Sequence, residues 1–186
     1  MLEILRHSPV PEDYAHALNV RQWVQRLDGQ ASEALQLAAL AHDVERAVPD
    51  RKVRRQDFED YDDFKRAHAE NSARMVEELL REVGAPAAIR KRIVELVRHH
   101  EFGRNGDPEA ALLKDADSLS FFETNLGAYA QREGEAEALR RMRWGYRRLS
   151  PLARTHFPGI RPAEPKAAAL MKRFLSEPPQ KNNDSR

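Results

Sequence analysis

Four stretches of this chain carry apolar side chains at helical spacing, and each stripe includes a histidine. His16 heads Val20, Trp23, Val24 and Leu27. His42 continues Leu35, Ala38 and Ala39, His68 lies between Phe64 and Met75, and His100 follows Ile89, Ile93, Leu96 and Val97. A lone histidine on an apolar face is ordinarily a hydrogen-bonded core residue. Four of them, on four helices, need more partners than these faces offer, because few other polar residues lie on them. In LAALAHDVER the stripe also delivers Asp43 directly after His42, and a buried carboxylate is costly unless something compensates it. Imidazole and carboxylate together ligate divalent cations, and the cation offsets the buried negative charge. The stripes therefore predict an all-α domain of six to seven helices around a buried metal centre.

No stretch alternates with the period of a strand, and only 8 glycines occur. Helices are expected over residues 11–27, 32–48, 64–83, 86–101, 109–130, 135–149 and 165–175. Asp28-Gly29 and Gly84 stop two of them, Ser32 is a candidate N-cap, and Pro86 suits a first turn. Residues 49–63 are polar and read as a loop. The 186 residues suit one domain with a real core, residues 1–175, followed by a polar tail, 176–186, expected to be disordered. A net charge of +1 does not point to nucleic acid or to a membrane. The basic run RRMRWGYRR, residues 140–148, is threaded by Leu139, Met142, Tyr146 and Leu149, so it reads as a helix with a basic solvent face. With no cysteine, disulfides and thiolate metal sites are excluded, which fits a reducing cytoplasm. Glu3 and Pro9 break the apolar stretch an export signal would need, and no run approaches the ~20 apolar residues of a membrane span.

The order of these residues resembles the HD superfamily of metal-dependent phosphohydrolases. That pattern is a histidine on one helix, here His16, a His-Asp doublet, here His42-Asp43, and a later aspartate in LLKDADSLSFFE. Helical phase alone leaves Asp115 and Asp117 open. ADSL, residues 116–119, resembles the ADRL stretch that carries the family's last ligand, and this selects Asp117. The resemblance covers residues 12–122, leaving the helices of residues 135–175 outside the shared core. Two-metal members have further histidines between the doublet and the last aspartate, where this chain has His68 and His99-His100-Glu101. VRHHEF looks like the HHE segment of the cyclic-dinucleotide phosphodiesterase branch, but the chain continues as HHEFGRNGDP and lacks that branch's GYP motif. Glu12 stands where that branch has an extra glutamate ligand, and is read here as a first-turn glutamate favoured by the helix dipole. Arg46 stands where that branch often has a ligating lysine. Arginine stays protonated, so a phosphate contact is expected of it instead.

The resemblance implies hydrolysis, by a metal-bound hydroxide, of a phosphomonoester or phosphodiester of a small molecule, with a nucleotide expected. One ion would be held by His16, His42, Asp43 and Asp117, and a second by Asp43 as a bridge, His68 and one or both of His99 and His100. Asp43 is thus the residue on which catalysis should most depend. A nitrogen-rich set suits manganese, iron, cobalt or nickel better than magnesium. Arg46 leads the candidates for substrate phosphate, followed by Arg21, Lys65 and Arg104. His7 and His156 match no ligand position. Two other readings remain open: a diiron oxygenase built on the same four-histidine, two-aspartate set, and a non-catalytic metal-binding sensor or interaction module.

Overall fold

The computed structural model describes residues 1–176, and every regular element among them is helical. The α-helices are α1 (Leu2–Arg6), α2 (Glu12–Leu27), α3 (Glu33–Ala41), α4 (Tyr61–Glu82), α5 (Ala87–Arg98), α6 (Pro108–Ser120), α7 (Leu126–Glu133), α8 (Glu135–Arg148), α9 (Pro151–His156) and α10 (Pro165–Ser176). Local chemistry sets several starts. Ser32 Oγ accepts from Leu35 N at 3.1 Å before α3, Asp60 accepts from Asp62 N and Asp63 N before α4, and Asp107 accepts from Ala110 N at 3.1 Å before α6. Gly84, at φ 69°, takes the left-handed conformation that ends α4.

Helices α2 to α6 form the first layer. α2 packs on α3 and α6, α3 on α5, and α4 on α5. Their apolar stripes meet at Val20, Leu35, Ala38, Ala39, Val76, Leu96, Leu113 and Leu119, all fully buried. The second layer, α7 to α10, continues the same core through Phe122, Met142, Phe157 and Met171. Its centre is aromatic, with Phe122 and Tyr146 each 4.8 Å from Phe157 between ring centroids. Gly145 lets α8 approach that cluster, because a Cβ there would stand 3.1 Å from Phe122 Cζ.

Several element boundaries differ from the sequence reading. The helix expected over 32–48 ends at Ala41, and Val44–Ala47 tighten into a 3₁₀ turn. The cause is tertiary. Asp43 Oδ1 lies 2.8 Å from His68 Nε2, and Glu45 Oε1 lies 2.7 Å from His68 Nδ1. On a continuing α-helix two residues apart point about 200° from one another, so they could not grip one imidazole from both sides. The helix expected from 64 begins earlier, at Tyr61, because Asp60 caps it. The one expected over 86–101 ends at Arg98, which leaves His99, His100 and Glu101 in the following turn. The one expected over 109–130 is interrupted by a π-helical turn, Phe121–Asn125, in which Glu123 accepts from Trp23 Nε1 at 2.8 Å and Asn19 Nδ2 at 3.0 Å. Short helices α1 and α9 were not anticipated, so the described residues hold more helices than the six to seven expected. The loop of 49–63 contains two 3₁₀ turns, Pro49–Arg51 and Arg55–Asp57. Ser176 closes α10, and the remainder of the expected tail, 177–186, lies outside the described residues. Among the described residues no helix is long and apolar enough to cross a membrane.

The loop between α5 and α6 is pinned by Arg92, which donates to both Asp107 oxygens at 2.7 and 2.8 Å and to Glu109 at 2.7 Å. The hydrogen bonds from Arg92 hold the Asp107 carboxyl down at about 2. Asp107→Asn keeps the cap but loses the partly exposed ion pair with Arg92, and should cost up to about 1 kcal/mol. The ionised form is favoured in the folded chain, so its contribution is full above the ordinary carboxylate range and is lost as pH falls through the folded value. The difference in Tm between wild type and Asp107→Asn should be constant near neutral pH and shrink between about pH 4 and about pH 2.

Candidate metal centre

Six side chains from five helices converge beneath the surface: His16 from α2, His42 and Asp43 from the end of α3, His68 from α4, His100 just beyond α5, and Asp117 from α6. Among the described residues, three overlapping clusters of three occur: the third, His100, Glu101 and Asp117, links two that form a pair. In one, Asp117 Oδ1 lies 3.1 Å from His16 Nε2 and 3.6 Å from His42 Nε2, and the two imidazole nitrogens are 3.2 Å apart. The other joins Asp43, His68 and His100. Asp43 spans both. Its Oδ2 faces His16 and His42 at 3.9 and 3.7 Å, and its Oδ1 faces His68 and His100 at 2.8 and 3.8 Å.

The far nitrogens of these rings are held in place. His42 Nδ1 donates to Ala39 O at 2.9 Å and His100 Nδ1 to Val97 O at 2.7 Å. Both acceptors are carbonyls in the last turn of the helix that leads to the histidine, and Val97 O also accepts from the His100 backbone N at 3.3 Å. Two separate helix ends thus fix an imidazole in the same way. His16 Nδ1 lies 2.9 Å from Ser120 Oγ, and His68 Nδ1 lies 2.7 Å from the Glu45 carboxylate. Hydrogen bonds at Nδ1 leave Nε2 as the inward nitrogen, the arrangement that orients histidine as a metal ligand.

The residues fit a cation. His100 Nε2 is buried and makes no hydrogen bond, with its nearest acids, Glu101 Oε1 and Asp43 Oδ1, at 3.5 and 3.8 Å. His42 Nε2 and His16 Nε2 face each other at 3.2 Å, close to the roughly 3.0–3.4 Å between neighbouring ligands of an ion bound at about 2.1 Å. The buried cluster can hold a metal ion. The electrostatics agree. Burial opposes charge on His42, but Asp43 and Asp117 outweigh it and push the imidazole up to about 9. Burial likewise opposes charge on Asp43, yet His42 and Arg46 hold its carboxyl well below the usual range. His16 and His42 do the same for Asp117. Burial pushes His100 down, so that ring stays neutral at pH 7.

A ring of charged residues surrounds the cluster. Arg46 is bound to Asp43 Oδ2 at 3.2 Å and to Asp13 Oδ1 at 2.9 Å. Asp13 is itself buried and accepts from Ser8 Oγ at 2.6 Å. Glu45 accepts from Val53 N at 3.0 Å and from Asn71. Glu101 is buried between Lys65 and Arg148. Of the candidates read from sequence, Arg46 and Lys65 thus adjoin the cluster, each held by a carboxylate. Arg21 bonds Gln36 on the outer side of α2, Arg104 pairs with Glu95 on the surface, and half-buried His99 joins none of these clusters. Asp115 turns away, accepting from Ser150 N at 3.1 Å, while Glu12 pairs with Arg132. His7 caps the carbonyl of Glu3, and His156 packs edge-on against Trp23. Sequence reasoning missed Asp13, Glu45, Ser120 and Arg148. A local signal existed for Glu45 alone: it follows the His42-Asp43 doublet by two residues.

The family described as a domain of unknown function, DUF4202, matches residues 2–171 of the chain. No curated protein and no solved structure matches it.

Two outcomes test the centre. Asp117→Asn should lose bound divalent metal, whereas Asp115→Asn should keep it with Tm little changed, because its amide oxygen still accepts from Ser150 N; elemental analysis and melting curves read both. Metal must also displace the proton held on His42, so its apparent affinity should rise about tenfold per pH unit on going from pH 6 toward about 9, and flatten above. An affinity independent of pH over that range would contradict the assignment of His42.

Proposed function

We propose the following reading for this chain, which belongs to the DUF4202 family: it is a metal-dependent phosphohydrolase acting on small phosphate esters, with nucleotides the first class to try. The observation that carries the reading is Asp43, whose two oxygens address two different sets of imidazole nitrogens. A carboxylate so placed suits a pair of ions, one against His16, His42 and Asp117, the other against His68 and His100. Bound there, two ions would supply an activated water at neutral pH and neutralise charge on a phosphoryl group. The four inward imidazoles favour manganese, iron, cobalt or nickel over magnesium. The resemblance of the His16, His42-Asp43 and Asp117 series to the HD superfamily supports the same reaction class.

The chain's own residues have definite tasks in this reading. Arg46, tied to Asp13 and Asp43, fixes the angle of the Asp43 carboxylate and balances its charge. Glu45 clamps His68 from behind, and Ser120 does so for His16. Ser120→Ala should weaken metal binding about ten- to a hundredfold while leaving the fold intact.

The deciding experiment is a screen of phosphomonoesters, phosphodiesters and nucleotides against the chain loaded with each of the four metals. Hydrolysis with at least one metal is expected, falling to background in Asp43→Asn. A metal-loaded chain that cleaves none of them sinks the reading; if the iron-loaded form consumes dioxygen instead, the oxygenase reading replaces it.

A further inference from the structure

One wall of the centre holds cations that the proposed chemistry leaves unused. Arg141, Trp144 and Arg148 stand three and four residues apart on α8 and so share one helical face. That face is turned toward α4 and Glu101. Arg148 Nη2 lies 3.3 Å from Glu101 Oε2, and Lys65 pairs with the other oxygen of the same carboxylate. The guanidinium carbons of Arg148 and Arg141 lie 3.8 and 4.1 Å from the centre of the Trp144 ring, which holds both heads in place. Two cations thus meet at one carboxylate, and a third, Arg141, is stacked on the Trp144 ring that also holds Arg148.

The arrangement is incomplete. Arg148 Nη1 is buried and has no hydrogen-bond partner. A buried guanidinium N–H without an acceptor is costly, and the planar fork of arginine matches a phosphate better than any other common anion partner except a carboxylate. Glu101 sets the position of this wall relative to the centre. Its Oε1 lies 3.5 Å from His100 Nε2, while its Oε2 meets Arg148. Arg148 is therefore joined to the histidines through the Glu101 carboxylate.

We infer that Lys65, Arg141 and Arg148 form a subsite for a second phosphate, so that the substrate carries a phosphate beyond the one placed at the centre, as in a phosphoanhydride or a bisphosphate. Trp144 holds the two arginine heads over its ring, and the free N–H of Arg148 is the donor that the second phosphate satisfies. Only the assignment of the other phosphate to the centre rests on the phosphohydrolase reading; the anion site itself does not.

The test is calorimetric titration of the full chain with inorganic pyrophosphate, without added metal, beside inorganic phosphate. Pyrophosphate should bind more tightly than phosphate. Arg148→Gln should weaken it about ten- to a hundredfold, the value of hydrogen bonds to a charged group. Arg141→Gln should weaken it less, and Arg140→Gln, an exposed residue paired with Glu137, should leave it unchanged. If Arg148→Gln does not fold, Arg148→Lys, which keeps the charge and loses the fork, and Arg141→Gln decide. Wild type that does not bind pyrophosphate, or variants of Arg148 and Arg141 that bind it as wild type does, overturns the inference. Arg148-dependent binding in a chain that hydrolyses nothing would leave the subsite standing and remove the proposed function. Hydrolysis with Arg148-independent binding would do the opposite.

Discussion

The carboxylate of Asp43 is the group the rest of the structure accommodates. It is buried, it faces imidazoles from α2, α3, α4 and the end of α5, and Arg46 lies against it. Removing such a charge from water costs several kcal/mol, recovered only where partners are close and themselves oriented. Here the partners outweigh burial, because the carboxyl stays ionised far below its usual range. Local backbone follows from that demand. α3 stops at Ala41 and the next residues tighten into a 3₁₀ turn, so that Asp43 and Glu45 approach His68 from two sides.

The same economy appears at the helix ends. An α-helix leaves its last carbonyls unpaired and carries partial negative charge there. At the ends of α3 and α5, Ala39 O and Val97 O receive the Nδ1 protons of His42 and His100. One geometric device thus selects the tautomer of two rings. The π turn after α6 is a second instance of backbone serving the centre. It begins directly after Ser120, whose hydroxyl meets His16, and the widened turn lets Glu123 reach Trp23 and Asn19 of α2.

How much of this was legible in the sequence follows from what periodicity can and cannot register. The all-helical class was legible, because stripes such as Ile89, Ile93, Leu96 and Val97 repeat at 3.6 residues. The inward positions of His16, His42, His68 and His100 were legible for the same reason. The choice of Asp117 over Asp115 was not, and needed the likeness of ADSL to a family motif; in the structure the two point to different neighbours. Helix ends were illegible where tertiary contacts set them. Nothing in AHDVERAV lowers helix propensity enough to stop at Ala41. Asp13 and Glu45 were passed over because charged residues are solvated by default, and their burial depends on partners, Arg46 and His68, that lie far away in sequence. The face of α8 bearing Arg141 and Arg148 was read as solvent-facing. The apolar stripe of Leu139, Met142, Tyr146 and Leu149 identifies one buried face, but says nothing about a second face buried by charge pairing and ring stacking.

That division has a consequence for how the two layers share the work. The six residues of the centre come from α2 to α6 and the turns between them, a frame locked by buried apolar stripes. The cationic wall comes largely from α8, whose approach is set by Gly145 against Phe122 and by Tyr146 against Phe157. Side chains that would handle the reacting group are therefore fixed by one set of contacts, and side chains that would select the remainder of a ligand by another. The two meet at Glu101, which reaches toward His100 with one oxygen and toward Arg148 with the other. An anion that takes up the free edge of Arg148 would draw the guanidinium's charge away from Glu101 and leave that carboxylate more strongly attracted to a cation beside His100. Binding at the wall and binding at the centre would then strengthen each other, by the same coupling free energy in both directions.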